Sequence, residues 1–354
     1  MAPNVGIVII GRNEGPRLHA SLASALRDAR HVVYVDSGST DNSVQIATEL
    51  GAHVVVLDTT APFTAARSRN AGFAKLLELA PEVEFVQFVD GDCEIVEGWI
   101  DRALSQMTSS LQNGVICGRR RERFPSASIY NKLADIEWDT PAGPTRACGG
   151  DALIRVKAFQ QVDGYNPTLI AGEEPEMCVR LRAVGWQIYR IDADMTLHDA
   201  AMTQFSQWWK RAFRAGHAYA EGFAMHGTPP ESHNAHQVMS IRLWALIVPL
   251  IFVVATIATA LIAPRYAWIP ALLLLLYPLM ILKIAVSKRF QNLGSADSLI
   301  YGFFVMLGKL PQLCGMRAYR RSISRGGHTT LIEYKDPPSQ NPTGSVTSVT
   351  LKQP

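Results

Sequence analysis

At 354 residues, 48% of them hydrophobic, the chain has room for a full α/β core and an appendage. A net charge of +3, from 34 basic and 31 acidic residues, is too slight for a nucleic-acid footprint, so nucleic acid is set aside as a partner. Five widely separated cysteines (Cys93, Cys117, Cys148, Cys178 and Cys314) lack zinc-site or redox spacing and read as reduced, mostly buried thiols of a cytosolic protein.

The first apolar run, Val5 to Ile10, is too short for a signal-peptide core, and the N-terminus is expected in the cytosol. Up to about residue 200, β-branched runs alternate with helical patterns. The runs are Val5 to Ile10, Val32 to Asp36, Ala52 to Leu57 and Phe85 to Asp90. Leu18 to Ala29, Ser43 to Leu50 and Ala66 to Leu79 carry helical periodicity, with Thr40 or Asp41 as an N-cap and Gly51 as a stop. Successive βα steps of this kind predict an α/β, doubly wound, mainly parallel sheet, whose ligands bind at the carboxyl ends of the strands.

Those strand ends are polar. The first runs into Gly11, Arg12, Asn13 and Glu14, without the glycine fingerprint of dinucleotide binders or the Lys-Ser/Thr ending of a P-loop. The second ends in Asp36, Ser37, Gly38, Ser39, Thr40 and Asp41, where Asp36 is placed to accept from a base or ribose. The third junction offers Arg67, Arg69, Asn70 and Gly72 at a helix start, and an Arg there suits a phosphate or base carbonyl. The fourth delivers Asp90, Gly91 and Asp92. Two carboxylates one residue apart suit a hard cation, Mg²⁺ or Mn²⁺, which prefers oxygen ligands. Taken alone, the first and fourth clusters read more readily as ordinary turns and the second as readily as a cap, so the reading rests on their combination.

After residue 200 the composition changes. A Trp- and Arg-rich helix, Gln204 to Met225, carries Trp208, Trp209, Arg211 and Arg214, read either as a membrane-surface belt or as a clamp on diphosphate or lipid phosphate. A Pro and His loop follows. Leu243 to Ala263 and Ala267 to Val286 are each apolar over roughly 20 residues, enough to cross a hydrocarbon core of about 30 Å as a tight hairpin. Leu299 to Leu310 is shorter, is interrupted by Gly308, Lys309 and Pro311, and is expected to be interfacial or re-entrant. The expected organisation is therefore an α/β domain over 1–200, a linker helix over 201–240, membrane helices over 241–290, an interfacial segment over 291–334 and a disordered tail over 335–354. Basic residues flank the apolar segments while only Arg265 lies in the connector, which puts both ends on the cytosolic side of the inner membrane.

Taken in order, Ile9 to Glu14, Asp36 to Asp41, Arg69 to Gly72 and Phe88 to Asp92 resemble glycosyltransferase family 2, whose fold is called GT-A. Gly149 to Arg155 with Phe159, Gly164 and Tyr165 looks like that family's acceptor-side strand and helix. Gly172 to Glu176, continuing to Arg180, Leu181, Gly185 and Trp186, looks like its catalytic helix start. The resemblance implies nucleotide contacts for Gly11, Asn13, Glu14, Asp36, Ser37, Arg69 and Asp90. It implies a divalent metal on Asp90 and Asp92, with His198 completing the metal and diphosphate site, and a catalytic base at Glu174, with Glu173 as competitor. Local sequence favours Glu174, since Pro175 at the first helical position would leave Glu174 at the N-cap with its carboxylate outside the helix barrel. Glu176 and Arg180 have the i,i+4 spacing of a surface ion pair.

The implied activity is inverting transfer from a nucleotide sugar to a membrane-associated, lipid-linked glycan acceptor. The alternatives are a polyprenyl-phosphate sugar synthase and a non-catalytic membrane scaffold of the same fold.

Overall fold

The computed structural model describes residues 4–58, 60, 63–290 and 293–325. The expected tail over 335–354 lies outside them. The chain begins with β1 (Val5–Gly11), α1 (Pro16–Asp28), β2 (His31–Asp36), α2 (Ser43–Glu49), β3 (His53–Val56), α3 (Ala65–Leu79) and β4 (Phe85–Asp90). The valines and isoleucines of β1, β2 and β4 are buried on both faces of the sheet, as parallel strands covered by helices must be. Gly51 ends the second βα unit at φ 86°, a left-handed conformation that a glycine adopts at no steric cost. The α2 N-cap is Asn42 rather than Thr40 or Asp41, although Asp41 Oδ1 does accept from Ser43 N at 3.0 Å.

The chain continues through β5 (Cys93–Ile95), α4 (Trp99–Thr108), β6 (Asn113–Glu122), α5 (Ile129–Trp138), β7 (Gly143–Pro144), β8 (Ala152–Arg155), α6 (Val156–Gln161), α7 (Glu173–Ala183) and β9 (Gln187–His198). Sheet order is β3-β2-β1-β4-β8-β6-β9-β5, with β7 on β9. β3, β2, β1 and β4 are parallel, whereas β8 runs antiparallel between β4 and β6. The sheet is thus parallel in its first half and mixed beyond β4. β1 lies between β2 and β4, which makes it the switch point beside which open α/β sheets bind ligands. α3 seats directly on this region because Gly72 has no side chain: a Cβ there would lie 2.4 Å from Val8 Cγ1 and 2.8 Å from Val35 Cγ2.

After the sheet come α8 (Phe205–His226), α9 (Ala235–Arg242), α10 (Val248–Ile262), α11 (Leu276–Arg289), α12 (Ser295–Leu307) and α13 (Lys309–Ser324). Among the described residues, three helical segments are long and apolar enough to cross a membrane: Ala235–Ile262, Pro264–Arg289 and Ser295–Ser324. Leu250, Ile257, Leu261 and Leu279 point outward from the first two, as membrane-facing residues do. The third segment is longer than its sequence suggests. Pro311 falls in the first turn of α13, where a missing N–H costs no helical hydrogen bond, so helix resumes at once after Gly308. α13 lies on α8 at backbone contact: a Cβ on Gly216 would come within 2.0 Å of Gln312 O, and one on Gly315 within 2.0 Å of Phe213 O.

Candidate active site

The loops after β1 and β2 hold each other. Asn13, in a left-handed conformation at φ 55°, accepts from Thr40 N at 2.7 Å through Oδ1, while its own N–H donates to Ser39 Oγ at 2.9 Å. Gly15 N donates to Asp41 Oδ2 at 3.0 Å. Asp36 is buried and serves its own loop: Oδ2 accepts from Gly38 N and Ser39 N at 3.0 and 2.9 Å, and Oδ1 from Tyr34 Oη at 3.2 Å. Gly11, Asn13, Glu14 and Ser37 line the cleft above the sheet, but Asp36 lies beneath it.

A chain of alternating charge runs across the strand ends. Arg69 on α3, 3% exposed, donates from Nη1 to Glu173 Oε1 at 2.8 Å and from Nη2 to Asp90 Oδ1 at 2.7 Å. The other Asp90 oxygen meets Arg120 Nη2 at 3.1 Å, and that nitrogen also lies 2.9 Å from Asp151 Oδ1. Asp151, fully buried on the sheet, also accepts from Asp90 N at 3.0 Å and Thr196 Oγ1 at 2.6 Å. Burial opposes both guanidinium charges, but the carboxylates on either side outweigh it and hold both pKa values above the ordinary range. Gly150 makes this convergence sterically feasible. A Cβ there would stand 2.9 Å from Arg69 Nη2, 3.0 Å from Asp90 Oδ2 and 3.2 Å from Arg120 Nη2. Asn70 pins the helix that carries Arg69 by a reciprocal pair with Tyr165, donating to its carbonyl at 2.7 Å and accepting from its N–H at 3.0 Å.

The metal candidates separate into two places. Asp92 Oδ2 lies 3.4 Å from His198 Nε2, both residues being buried at the cleft wall. His198 is the last residue of β9, which extends to Asp92's neighbour and pairs Cys93 with His198, so it belongs to a strand rather than to a loop beyond one. Its Nδ1 faces Glu122 Oε2 at 3.5 Å without a hydrogen bond, and Glu122 is itself fixed by Ala200 N, Phe124 N and Asn131 Nδ2. A carboxylate behind the second ring nitrogen is the arrangement that orients a ligating imidazole. The Asp92 and His198 donors fit a divalent cation. Asp90, held between two arginines, faces the same cleft but not the same pair. Cys148, Glu174 and Cys178 also converge, but the Cys148 thiol is pushed up by its contact with Cys178 and by burial, and burial pushes Cys178 up too, so both remain protonated hydrogen-bonding groups.

A profile described as Glycosyl transferase family 2 matches residues 6–161, which hold these strand ends, Arg69, Asp90, Asp92, Arg120 and Asp151. Residues 6–161 are a glycosyltransferase family 2 domain. The chain is 28% identical over 228 residues to the pre-mycofactocin glycosyltransferase of Mycobacterium tuberculosis, covering 61% of this chain and 47% of that protein. It thus spans about half the length of that relative. It is 24% identical over 244 residues to the succinoglycan biosynthesis protein ExoA of Rhizobium meliloti, covering 63% and 71% respectively. Among solved structures it resembles a mannosyltransferase from Pyrobaculum calidifontis in complex with GDP-Man and Mn²⁺. The TM-score is 0.55 at 16% identity, over 86% of this chain and 87% of that one. The shared fold is GT-A.

In this glycosyltransferase domain the two first-turn glutamates differ in surroundings. α7 begins at Glu173, capped by Gly172 at φ 82°, so Pro175 occupies the third helical position and Glu174 lies inside the first turn instead of at the N-cap. Proline is tolerated there because first-turn N–H groups have no intrahelical acceptor. Glu173 is paired with Arg69. Glu174 Oε1 accepts from Cys148 N at 2.6 Å and from the Cys178 thiol at 3.2 Å, with no cation in contact. Both glutamates line the cleft. Glu176 is not a surface residue. It is 2% exposed, accepts from Arg180 at 2.8 to 3.1 Å and from His226 Nε2 at 3.1 Å, and ties α7 to the end of α8.

The cleft has a volume of about 920 Å³ and does not end at the sheet. Beyond Glu173, Glu174 and His198 it continues along α8 to α12 and the start of α13, lined there by Trp208, Arg214, Tyr301, Phe304 and Lys309. Sequence reasoning missed Arg120 and gave Asp151 no role. The run of basic residues from Arg119 to Arg121 was the available signal, though β-strand alternation alone does not say which of them meets the acid just before β8.

Proposed function

We propose that this glycosyltransferase moves a sugar, with inversion, from a nucleotide donor to a lipid-linked glycan acceptor at the cytosolic face of a membrane. The observation that carries the reading is the single cleft joining the strand ends of a family 2 domain to helices of membrane-spanning length. Open faces around Gly11, Asn13, Glu14 and Ser37 offer room for the nucleoside, and the Arg69 and Arg120 pairs fix the position of Asp90 beside it. Asp36 would support the base indirectly, by shaping the Gly38-Ser39 loop. Asp92 and His198 would hold a divalent cation, Mg²⁺ or Mn²⁺, as the Mn²⁺ of the Pyrobaculum enzyme suggests. Bound there, such an ion supplies positive charge to the departing diphosphate.

Glu174 is proposed as the base. The acceptor oxygen attacks the anomeric carbon, its proton passes to Glu174, and the bond from that carbon to the nucleoside diphosphate breaks. Glu173 is the weaker candidate, because its Oε1 is already engaged by Arg69 at 2.8 Å, whereas the oxygen of Glu174 meets only the Cys148 amide and the Cys178 thiol. The three apolar segments support a membrane location, and Arg242, Lys288 and Arg289, near the ends of the first two, support a cytosolic catalytic domain.

The test is a panel of nucleotide sugars incubated with the purified full chain and membrane lipid extract, with and without chelator. Metal-dependent release of nucleoside diphosphate that rises with lipid, with label appearing in the lipid fraction, supports the reading. No release from any donor would favour a non-catalytic scaffold.

A further inference from the structure

Most of the arginines along the cleft face carboxylates: Arg17 meets Glu14 at 3.1 Å, Arg69 meets Asp90 and Glu173, Arg120 meets Asp90 and Asp151, and Arg211 meets Glu137 at 2.7 Å. Two cations at the far end differ. Among the described residues, Arg214 on α8 makes one hydrogen bond, from Nη2 to Ile170 O at 3.0 Å, and no ion pair. Lys309, the first residue of α13, has neither a hydrogen bond nor an ion pair among the described residues. Both are half-buried and line the same cavity. A partly desolvated cation without a counter-charge is costly, and two of them in one cavity mark a place for an anion.

The wall beside these cations is apolar. Trp208 of α8 and Phe304 of α12 meet edge to face with centroids 5.0 Å apart, and Tyr301 and Val305 extend that surface along α12. α12 opens the third segment of membrane-spanning length, so the apolar wall leads along a helix that itself suits hydrocarbon. A soluble phosphate would use the cations and leave this wall uncovered, whereas an alcohol lipid would use the wall and leave the cations unpaired.

We infer that this end of the cleft is the acceptor subsite, in which Arg214 and Lys309 grip the phosphate of an amphiphile while Trp208 and Phe304 line its first hydrocarbon units. Two cations balance the roughly two negative charges of a lipid diphosphate carrying a glycan, and a lipid phosphate monoester, with about one and a half to two, matches that charge as a probe. Calling it the acceptor subsite rests on the glycosyl-transfer reading above, but the binding itself is testable without turnover.

The experiment uses the full chain in nanodiscs of neutral lipid and measures equilibrium binding of radiolabelled farnesyl phosphate, with farnesol and inorganic phosphate as competitors. Wild-type protein binds farnesyl phosphate saturably, and each competitor is at least about tenfold weaker. Lys309→Gln and Arg214→Gln each weaken farnesyl phosphate about 10- to 100-fold, the loss expected for one charge-assisted contact. Lys309→Arg stays within about threefold, and nucleoside diphosphate binding is unchanged in all three variants, which also certifies their folding. Unaltered farnesyl phosphate binding in both Gln variants overturns the inference. So does a matching loss of nucleotide affinity, which would assign the cations to the donor, or competition by inorganic phosphate as strong as by farnesyl phosphate, which would assign them to a soluble ligand. Absence of sugar transfer alongside intact farnesyl phosphate binding would defeat the proposed reaction and leave the phosphate site standing.

Discussion

Replacing Glu174 by Gln separates proton acceptance from every other job the side chain has. Its Oε1 accepts from Cys148 N at 2.6 Å and Cys178 Sγ at 3.2 Å, and a Gln carbonyl oxygen keeps both bonds. Stability should therefore change by less than about 1 kcal/mol. Donor affinity should hold, since no donor-side group touches Glu174. What is lost is general-base assistance, about two to four orders of magnitude in the transfer rate, or about 3–5 kcal/mol of barrier. Glu173→Gln should behave oppositely. It weakens the charge-assisted bond to Arg69, 2.8 Å long and nearly excluded from water, at a cost of about 1–2 kcal/mol. Because Arg69 also holds Asp90, that cost should fall on donor affinity and thermal stability, with a smaller effect on the saturated rate. The assay is nucleoside diphosphate release at saturating donor and acceptor, with donor affinity and melting temperature measured separately. Near-normal transfer by Glu174→Gln, together with a collapsed saturated rate in Glu173→Gln, would refute the assignment and the argument from Arg69.

Asp92→Asn should cut turnover at least about tenfold and raise the half-saturating Mn²⁺ concentration, and Glu122→Gln should raise that concentration about 10-fold or more through His198; wild-type activity in chelator would remove the metal from the site. Glu176→Gln should lower stability by about 1–3 kcal/mol in thermal or denaturant unfolding, because the carboxylate is buried against Arg180 and His226, and an unchanged midpoint would contradict that burial. On α8, burial pushes Glu221 up to about 7 from 4.5, and burial with Arg214 nearby pushes His217 down to about 4 from 6.5. Folded Glu221 keeps a proton that the unfolded chain loses between those pH values, so its contribution to stability falls as pH rises from 4.5 to 7; folded His217 lacks a proton the unfolded chain holds, so its contribution grows from 4 to 6.5. Glu221→Gln removes the first of these slopes, so its stability relative to wild type should rise between pH 4.5 and 7; a pH-independent difference between the two would dispose of the idea.

Strand ends were legible in the sequence because burial on both faces of β1, β2 and β4 demands unbroken Val and Ile runs, so polar residues can begin only where the strand meets the cleft. Arg69 was legible by the same logic, since Gly72 three residues on marks the face of α3 that touches the sheet. The first turns of helices were harder. By sequence Pro175 reads as the first helical residue and Pro311 as a break, yet each is the third residue of its helix, inside a first turn where proline lacks nothing the helix needs. For Glu176 and Arg180, i,i+4 spacing places the two side chains together but says nothing about what covers them, here Val162, Gly164 and His226. Asp36 sits at the predicted strand tip, but folding of the Gly38-Ser39 amides onto its carboxylate is a feature of loop geometry that no pattern announces. Arg120 needed the β8 neighbour of β6 to be known, which is a fact of topology.

The crossing of α8 and α13 at Gly216 and Gly315 has a consequence for how the molecule meets its surroundings. With backbones touching at two points, neither helix can slide or roll over the other without collision. α8 follows directly from the strand that ends in His198, and α13 ends the last apolar segment, so catalytic floor and anchor behave as one rigid bracket. Under the proposed function, the reacting centre would stand at a constant height above the bilayer and the chain would work as a gauge: a lipid carrying its acceptor group at the matching height would be within reach, and one with a longer or shorter headgroup would be passed over.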